Sequence, residues 1–310
     1  MGRNDYQVER ASYAMGEVPL FRSDGHPDPR LRGPDVSIIY SKIGLCAANS
    51  ENPFQPRDFQ WNLDNVINPM VERGEIDDGS NSPFDDRKLR YEGSNIVPGY
   101  PAYMGDDLFV SFGITHYKAF LADQNRSDED NLKLQERGQK LFGDRYAFFS
   151  RAPGIAVLPI TKEGSVFVGE RTNEEQGGFL NAVAGHLKYR NPEEVDIQED
   201  LLRELEEEFG LTKSSLVEGP TFVGVYSHPI KGDLDFTYIV QTDVPNDYFS
   251  SGTWMEKVSE REHKPLIQLA SMVDVQRLLQ DGKVPDGREF PLMYSTRGAL
   301  GSLREEDLIR

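Results

Sequence analysis

The chain has 310 residues, of which 37% are hydrophobic and 10% aromatic, which is typical of a folded globular protein rather than a disordered one. Its formal net charge of −18 repels a nucleic-acid backbone, and no stripe of Lys or Arg offsets this repulsion, so we expect no nucleic-acid partner. No apolar stretch approaches the roughly 18 residues of a membrane helix, so we expect no membrane partner. The single cysteine, Cys46, excludes an internal disulfide and fits the reducing cytoplasm, where we expect the protein to reside.

The first part of the chain has few regular patterns. A strand is predicted at residues 36–40, and the run DDGSNSPFDD at residues 77–86 predicts a loop. The sequence LFVSF at residues 108–112 predicts a strand, with Thr115 as the N-cap of a short helix that follows. A second helix is predicted from Ser127 to about Phe142, because Ser127 and the acid three residues later have the spacing of a capping box.

From residue 155 onward, short apolar strands alternate with tight turns and helices. Five strands are predicted, at residues 155–160, 165–169, 221–226, 236–242 and 266–270. The segment Thr161–Gly164 predicts a hairpin between the first two strands, and amphipathic helices are predicted near residues 274–279 and 291–303. This mixture around a non-repeating β core predicts an α+β fold or an α/β/α sandwich.

A strongly acidic helix is predicted within NPEEVDIQEDLLRELEEEFGL, residues 191–211. Asp196, followed three residues later by Glu199, resembles a capping box, and Gly210 is a natural residue for the end of the helix. Apolar side chains recur at i, i+4 and i+8, which predicts one buried face. Those side chains belong to Leu201, Leu205 and Phe209.

The same helix also carries a cluster of acidic residues. Glu204, Glu207 and Glu208 stand at i, i+3 and i+4, so their carboxylates share a face and repel one another. A hard divalent cation with oxygen ligands would offset this repulsion. The same spacing also fits a solvated charged face, and the three glutamates alone do not decide between the two interpretations.

The wider pattern favours the metal site. Gly185, an acidic loop and then Arg203–Leu211 match the signature R-E-(apolar)-x-E-E-x-G-(apolar) at every defined position. This motif resembles that of the Nudix hydrolases. The resemblance implies an α/β/α sandwich with a mixed β-sheet and cleavage of a diphosphate linked to a second group.

The resemblance departs from the family pattern before the helix. Seventeen residues separate Gly185 from Arg203, four more than in the family pattern. Val195 occupies the position of a glutamate that normally braces the arginine, and Glu193 or Glu194 would fill that role if the longer loop places either one there. Otherwise Arg203 loses its presumed partner.

By this resemblance, the metal ligands would be Glu204, Glu207, Glu208 and the backbone carbonyl of Ala184. The implied cofactor is Mg²⁺, with Mn²⁺ as an alternative, and the catalytic group would include Glu204, Glu207 and Arg203. The family often adds a carboxylate from a later loop as base or ligand. Here Glu262 and Glu260 precede the strand at residues 266–270, and we expect Glu262 to take this role because of its spacing to that strand.

Beyond the motif, the chain resembles the UDP-glucose/UDP-galactose hydrolase branch of the Nudix proteins. Four segments carry this resemblance: PFDDRKLR at residues 83–90, LFVSFGITHYKAFL at 108–121, AGH at 184–186 and DFTYIVQTDV at 235–244. It implies that residues 1–150 form an accessory region packed on a hydrolase domain at residues 151–310. The implied reaction converts a UDP-sugar to UMP and a sugar 1-phosphate.

His186 and Tyr117 are our candidates for substrate binding, and two other aromatic residues are considered beside Tyr117. His186 adjoins the motif's glycine and would face phosphate, although a lone histidine is more often structural. Tyr117, like Phe120 and Tyr226, would stack on uracil, although aromatic residues at such positions more often belong to the core.

Two alternatives to a UDP-sugar hydrolase stay open from the sequence. In the first, the protein is a hydrolase whose substrate is ADP-ribose, NADH or a dinucleoside polyphosphate. In the second, it is a module that binds a nucleotide sugar without cleaving it. The long loop and Val195 support the second of these. The sequence does not determine the oligomeric state.

Overall fold

The computed structural model describes residues 63–74, 87–93, 102–104, 107–109, 111–142, 145–172, 178–189, 195–259 and 262–308. The strand expected at residues 36–40, the loop at residues 77–86 and Cys46 lie outside these residues. So do Glu193, Glu194 and Glu260. Within the described part of the chain, no helix is long and apolar enough to cross a membrane.

The N-terminal elements are short. A single π-helical turn at Leu63–Ile67 leads into helix α1 (Asn68–Glu72). Four strands, β1 (Arg87–Gly93), β2 (Ala102–Met104), β3 (Asp107–Phe109) and β4 (Ser111–His116), form two antiparallel pairs, β1 with β4 and β2 with β3. Helices α2 (Tyr117–Asn125) and α3 (Asp128–Phe142) follow.

The rest of the chain combines strands and helices. Its strands are β5 (Pro153–Ile160), β6 (Val166–Glu170), β7 (Leu180–Asn181), β8 (Val183–His186), β9 (Thr221–Ser227), β10 (Leu234–Gln241) and β11 (Ile267–Leu269). Its helices are α4 (Ile197–Phe209), α5 (Asn246–Ser250), α6 (Met272–Asp281), α7 (Tyr294–Ser302) and α8 (Glu305–Leu308), with 3-10 turns at Lys213–Ser215 and Thr253–Glu256.

Seven strands of this second part form one mixed sheet. Its central order is β11-β6-β5-β10-β9, with β7 added beside β6 and β8 beside β5. β5 and β10 are parallel, with Ile155 opposite Phe236, while the other pairs in the sheet are antiparallel. β8 therefore lies directly against the central strand β5, where the motif's glycine, Gly185, is opposite Ile155.

The sheet lies between two layers of helices. Alternate residues of its central strands lie on opposite faces, and each face packs in its own hydrophobic core. On one face, Ile155 and Val157 of β5 pack in a cluster with the apolar side of α4. On the other face, Leu158 and Ile160 pack with α6, α7 and α8. This alternation follows from the two-residue period of a strand buried on both faces. The predicted α+β class with a mixed sheet in an α/β/α arrangement is confirmed.

The N-terminal elements pack on the first of these cores. Leu89 and Tyr91 of β1 and Phe112 of β4 are fully buried in the same cluster as α4 and the central strands. The side-chain amide of Gln135 on α3 also donates hydrogen bonds of 2.8 Å to the carbonyls of Pro229 and Ile230. For the described N-terminal residues, the expected packing on the core is therefore confirmed.

Two local predictions in the N-terminal region need correction. The strand expected at residues 108–112 is divided between β3 and β4, and β4 extends to His116. Thr115 is consequently a strand residue, paired with Lys88, rather than a helix cap. α2 begins after His116 without a side-chain cap, because pairing with β1 holds residues 111–116 extended. The predicted cap at Ser127 is confirmed, since its hydroxyl accepts the N–H of Asp130 at 3.2 Å and donates to the Asp130 carboxylate at 2.7 Å.

Candidate active site

The acidic helix, α4, has the predicted caps. The Asp196 carboxylate accepts the N–H of Glu199 at 2.8 Å, and Gly210 ends the helix with φ of 65°, a left-handed conformation that favours glycine. The apolar face expected from the i, i+4, i+8 spacing is buried in the core shared with β5 and β10. The sequence of this helix therefore determines both its ends and its orientation, and turns the acidic face toward β8.

Two of the three acids lie against β8. The backbone N–H of Ala184 donates to the Glu208 carboxylate at 3.3 Å. A Cβ atom at Gly185 would lie 2.0 Å from the carboxyl carbon of Glu204, so no other residue fits there without displacing that carboxylate. The glycine of the motif thus allows the backbone of β8 to approach α4 closely.

Arg203 holds the acidic face together. Its guanidinium donates to Glu204 and Glu207, both at 2.5 Å, and lies 3.6 Å from Asp200. Val195, at the position of the family's bracing glutamate, is 3% exposed and packs in the core. The partners of Arg203 within the described residues therefore come from its own helix, and the loss of the brace at Val195 does not leave the arginine unpaired.

The Glu204 carboxyl is perturbed by its surroundings. Burial raises the pKa of Glu204 to about 7, and the neighbouring Glu208 and Glu207 raise it further, against the opposing charge of Arg203. In the absence of a cation, Glu204 is therefore partly protonated near neutral pH. A bound cation would favour its ionised form.

Glu208 has a second partner, His263. The Nε2 atom of His263 lies 3.0 Å from a Glu208 carboxylate oxygen, and both side chains are buried. Burial lowers the pKa of His263 to about 4, so the ring is neutral at pH 7 and its Nε2–H donates to the carboxylate. Gly169 makes room for the ring, since a Cβ there would be 2.5 Å from Nδ1.

The residues expected to bind a metal carry the oxygen atoms that a divalent cation prefers, but their side chains are not arranged as a complete metal site. Carboxylate and carbonyl oxygens are the ligands that Mg²⁺ prefers, and the raised pKa of Glu204 reflects a buried charge that Arg203 only partly compensates. Within the described ranges, however, no three His, Cys, Asp or Glu side chains gather in a ready-made metal cluster. The acids are engaged by Arg203 and His263 instead.

A cleft of about 230 Å³ opens beside this acidic face. Four of the residues predicted for the site line it: Tyr117, Ala184, His186 and Glu262. Gly185 also lines the cleft, and the Glu204 carboxylate of α4 lies against this glycine. The fold thus brings residues from α2, β8 and the segment before β11 to one place next to α4.

The two predicted substrate-binding residues lie on one wall of the cleft. His186 packs edge-on against Phe120, with ring centroids 4.6 Å apart, and Tyr117 stacks on the same phenylalanine at 6.1 Å. Burial lowers the pKa of His186 well below its usual value, with Lys88 and Arg171 adding to the effect, so its ring is neutral. Tyr226, the third aromatic considered for stacking, is 1% exposed and belongs to the core.

Glu262 lies in the cleft as the partner of Arg171. The two side chains form an ion pair, and the Arg171 side chain is 9% exposed. The carbonyl of Glu262 accepts the N–H of Thr172 at 2.9 Å, which fixes the segment to the end of β6. The carboxylate that the spacing indicated is therefore in the cleft, where Arg171, a residue not predicted from the sequence, holds it.

An acidic group at the start of β10 was not predicted from the sequence. Asp233, Asp235 and Tyr294 line the cleft, and the Tyr294 hydroxyl donates to the Asp233 carboxylate at 3.1 Å. Burial raises the pKa of Asp235 to about 7, and the charge of Asp233 adds to the effect. The signal in the sequence was the pair of acids that opens DLDFTYIV, an otherwise apolar strand.

Comparison with known proteins gives a limited answer. No protein-family model matches the chain, and no curated protein matches it. Similar solved structures include a MutT NUDIX hydrolase from Burkholderia pseudomallei, 19% identical over 49% of this chain and 98% of that chain, with a TM-score of 0.32. The MutT protein from Methanosarcina mazei Go1 is 15% identical over 48% of this chain and 89% of its own, with a TM-score of 0.33. A C. elegans Ap4A hydrolase is 14% identical over 41% of this chain and 86% of its own, with a TM-score of 0.29. Identities and TM-scores this low do not assign a family, so the function rests on the residues of the site.

Proposed function

We propose that this protein is a divalent-cation-dependent hydrolase of the Nudix type that cleaves a nucleoside diphosphate sugar. The products would be a nucleoside monophosphate and a sugar 1-phosphate. The observation that carries this proposal is the docking of the R-E-x-x-E-E helix on β8 beside the cleft. Gly185 accommodates Glu204 there, and the Ala184 N–H binds Glu208.

The residues that would hold the cation are Glu204, Glu207, Glu208 and the carbonyl of Ala184. Mg²⁺ suits these oxygen ligands, and Mn²⁺ is a reasonable substitute. When bound, the cation would neutralise diphosphate oxygens and lower the pKa of a coordinated water. Arg203 orients the carboxylates of Glu204 and Glu207 through its two hydrogen bonds. His263 does the same for Glu208.

Within the cleft, we assign Glu262 as the group that accepts a proton from the attacking water. The support for this role is its place in the cleft and its fixed orientation beside Arg171. A base needs an orienting partner, and the guanidinium supplies one. Arg171 lines the cleft as well, and although one of its nitrogens is paired with Glu262, a guanidinium has further N–H donors for a substrate phosphate.

The substrate we propose is UDP-glucose or UDP-galactose, giving UMP and the sugar 1-phosphate. Support comes from the four sequence segments that resemble UDP-sugar hydrolases. Two of them, at residues 108–121 and 184–186, contribute Tyr117, Phe120 and His186 to the cleft. Tyr117 and Phe120 offer aromatic surface to a base. In this arrangement residues 1–150 serve as the accessory region and residues 151–310 as the hydrolase domain.

The test is product formation by a matched pair of variants on one helix. Glu207→Gln removes a proposed ligand, whereas Glu206→Gln changes the exposed acid beside it. With Mg²⁺ and UDP-glucose, we expect the Glu207 variant to lose on the order of 100-fold in rate. The Glu206 variant should match the wild type. Release of UMP and sugar phosphate is the measurement, and chelator should abolish it.

Two outcomes would contradict the proposal. Undiminished turnover in excess chelator, or by the Glu207 variant, would remove the metal role. Binding of UDP-glucose without any product over hours would instead indicate a non-catalytic module. A panel with ADP-ribose, NADH and a dinucleoside polyphosphate tests the substrate, since preference for an adenine compound would overturn the uridine assignment.

A further inference from the structure

The cleft is lined by more acidic side chains than the binding of a diphosphate requires. Among the described residues, Asp233, Asp235 and Glu262 line it, and the one arginine in this part of the lining, Arg171, is already paired with Glu262. Phosphate oxygens would be repelled by the two aspartates. This part of the cleft therefore suits an uncharged portion of the substrate that offers hydrogen-bond donors.

Close packing of the three strands β10, β5 and β8 positions Asp235 in the lining of the cleft. It is the second residue of β10, opposite Gly154 of β5 in the parallel pair. A Cβ at Gly154 would lie 2.1 Å from the Asp235 Oδ1 atom and 3.0 Å from the carbonyl oxygen of Gly185. The carboxylate of Asp235 thus lies over a glycine of β5, close to the glycine of the motif.

The hydroxyl groups of Ser295 and Tyr294 interact with the Asp235 carboxyl group, which stays partly exposed. Asp233, two residues earlier, accepts a hydrogen bond from the buried Tyr294 hydroxyl. Asp235 itself is only half-buried and faces the cleft. With a pKa of about 7, its carboxyl group is present near neutral pH in a form that accepts hydrogen bonds and in a form that donates one.

We propose that Asp235 binds a hydroxyl group of the substrate's sugar and so selects nucleotide sugars. Carboxylates are the usual partners of sugar hydroxyls, as in ribose recognition by dinucleotide-binding proteins. Both the hexose and the ribose carry hydroxyls, and the shared chemistry is a neutral polyhydroxyl ring. This inference rests on the proposed function, because it assigns a further contact to the same cleft.

The first experiment measures KM and kcat for UDP-glucose with Asp235→Ala. We expect KM to rise roughly 10- to 100-fold, the effect of losing a hydrogen bond to a charged group, with a smaller change in kcat. Asp235→Asn keeps the shape and part of the hydrogen-bonding capacity, so it should show an intermediate loss. Asp243→Ala removes an exposed acid just beyond the same strand and should leave KM unchanged.

The second experiment separates this inference from the proposed function. Calorimetry in chelator compares UDP-glucose, UDP and 2′-deoxy-UDP-glucose as ligands of wild-type and Asp235→Ala protein. If Asp235 binds the hexose, the variant loses affinity for UDP-glucose and not for UDP. If it binds the ribose, affinity for both falls, and the variant no longer distinguishes the 2′-deoxy compound. These results would support Asp235 even if no turnover occurred, in which case only the hydrolase proposal would fail.

Equal affinity of UDP-glucose for wild-type and variant protein, including no affinity for either, would overturn the role of Asp235. Thermal unfolding checks that each variant is folded. Should Asp235→Ala fail to fold, the isosteric Asp235→Asn carries the same test, with unchanged UDP-glucose affinity as the contradicting result.

Discussion

We expect the Glu204→Gln substitution to increase the free energy of unfolding of the cation-free protein, by an amount that depends on pH. The ordinary pKa of a glutamate, 4.5, rises to about 7 for Glu204, chiefly because the side chain is buried. Between these values the unfolded chain has lost its proton while the folded protein still holds it. Stability therefore falls as pH rises from 4.5 to 7 and stays reduced above 7.

The size of this effect follows from the two pKa values. At about 1.4 kcal/mol per pH unit, the difference between 4.5 and about 7 corresponds to roughly 3 kcal/mol. Glu204→Gln has no such proton, so its free energy of unfolding should gain roughly 3 kcal/mol relative to wild type between pH 4.5 and 8.5. Asp235 is present in both proteins, and its own titration cancels in the comparison.

Urea unfolding in chelator at several pH values measures this difference. Trp254, which is 1% exposed, provides the fluorescence signal. Glu206→Gln is the control, because that exposed acid should leave the pH profile parallel to wild type. Parallel profiles for Glu204→Gln as well would refute the reasoning, since they would mean that Glu204 ionises normally in the folded protein.

Two glycine substitutions test the packing around the site. Gly298→Ala places a Cβ 2.6 Å from the ring of the buried Tyr226, so we expect a loss of roughly 1–3 kcal/mol in a thermal or urea unfolding experiment. Gly219→Ala, which meets no atom within 4 Å, is its control, and equal stability of the two variants would contradict the packing argument. Gly185→Ala displaces the Glu204 carboxylate and should reduce hydrolysis on the order of 100-fold while the protein stays folded. A wild-type rate for this variant would show that the Glu204 position is not critical.

The acidic helix was predictable because the residues that define its ends and its two faces are close together in the sequence. Asp196 and Gly210 define its ends, and the spacing of its apolar and acidic residues defines its two faces. The hairpin after β5 was equally local, since Thr161–Gly164 forms the turn, with Gly164 at φ of 78°. The error at Thr115 has the opposite origin, because pairing with the distant β1 kept that residue in a strand.

The sequence by itself determined which helix carries the acids and which residues cap it, because capping and helical periodicity depend on neighbours within a few positions. Only the tertiary structure decided what those acids meet. The pairing of Glu208 with His263 and of Glu262 with Arg171 joins residues more than 50 positions apart. The burial that raises the pKa of Asp235 likewise arises only when β10 lies beside β5. Such contacts depend on the order and register of strands in the sheet, which no short stretch of sequence encodes.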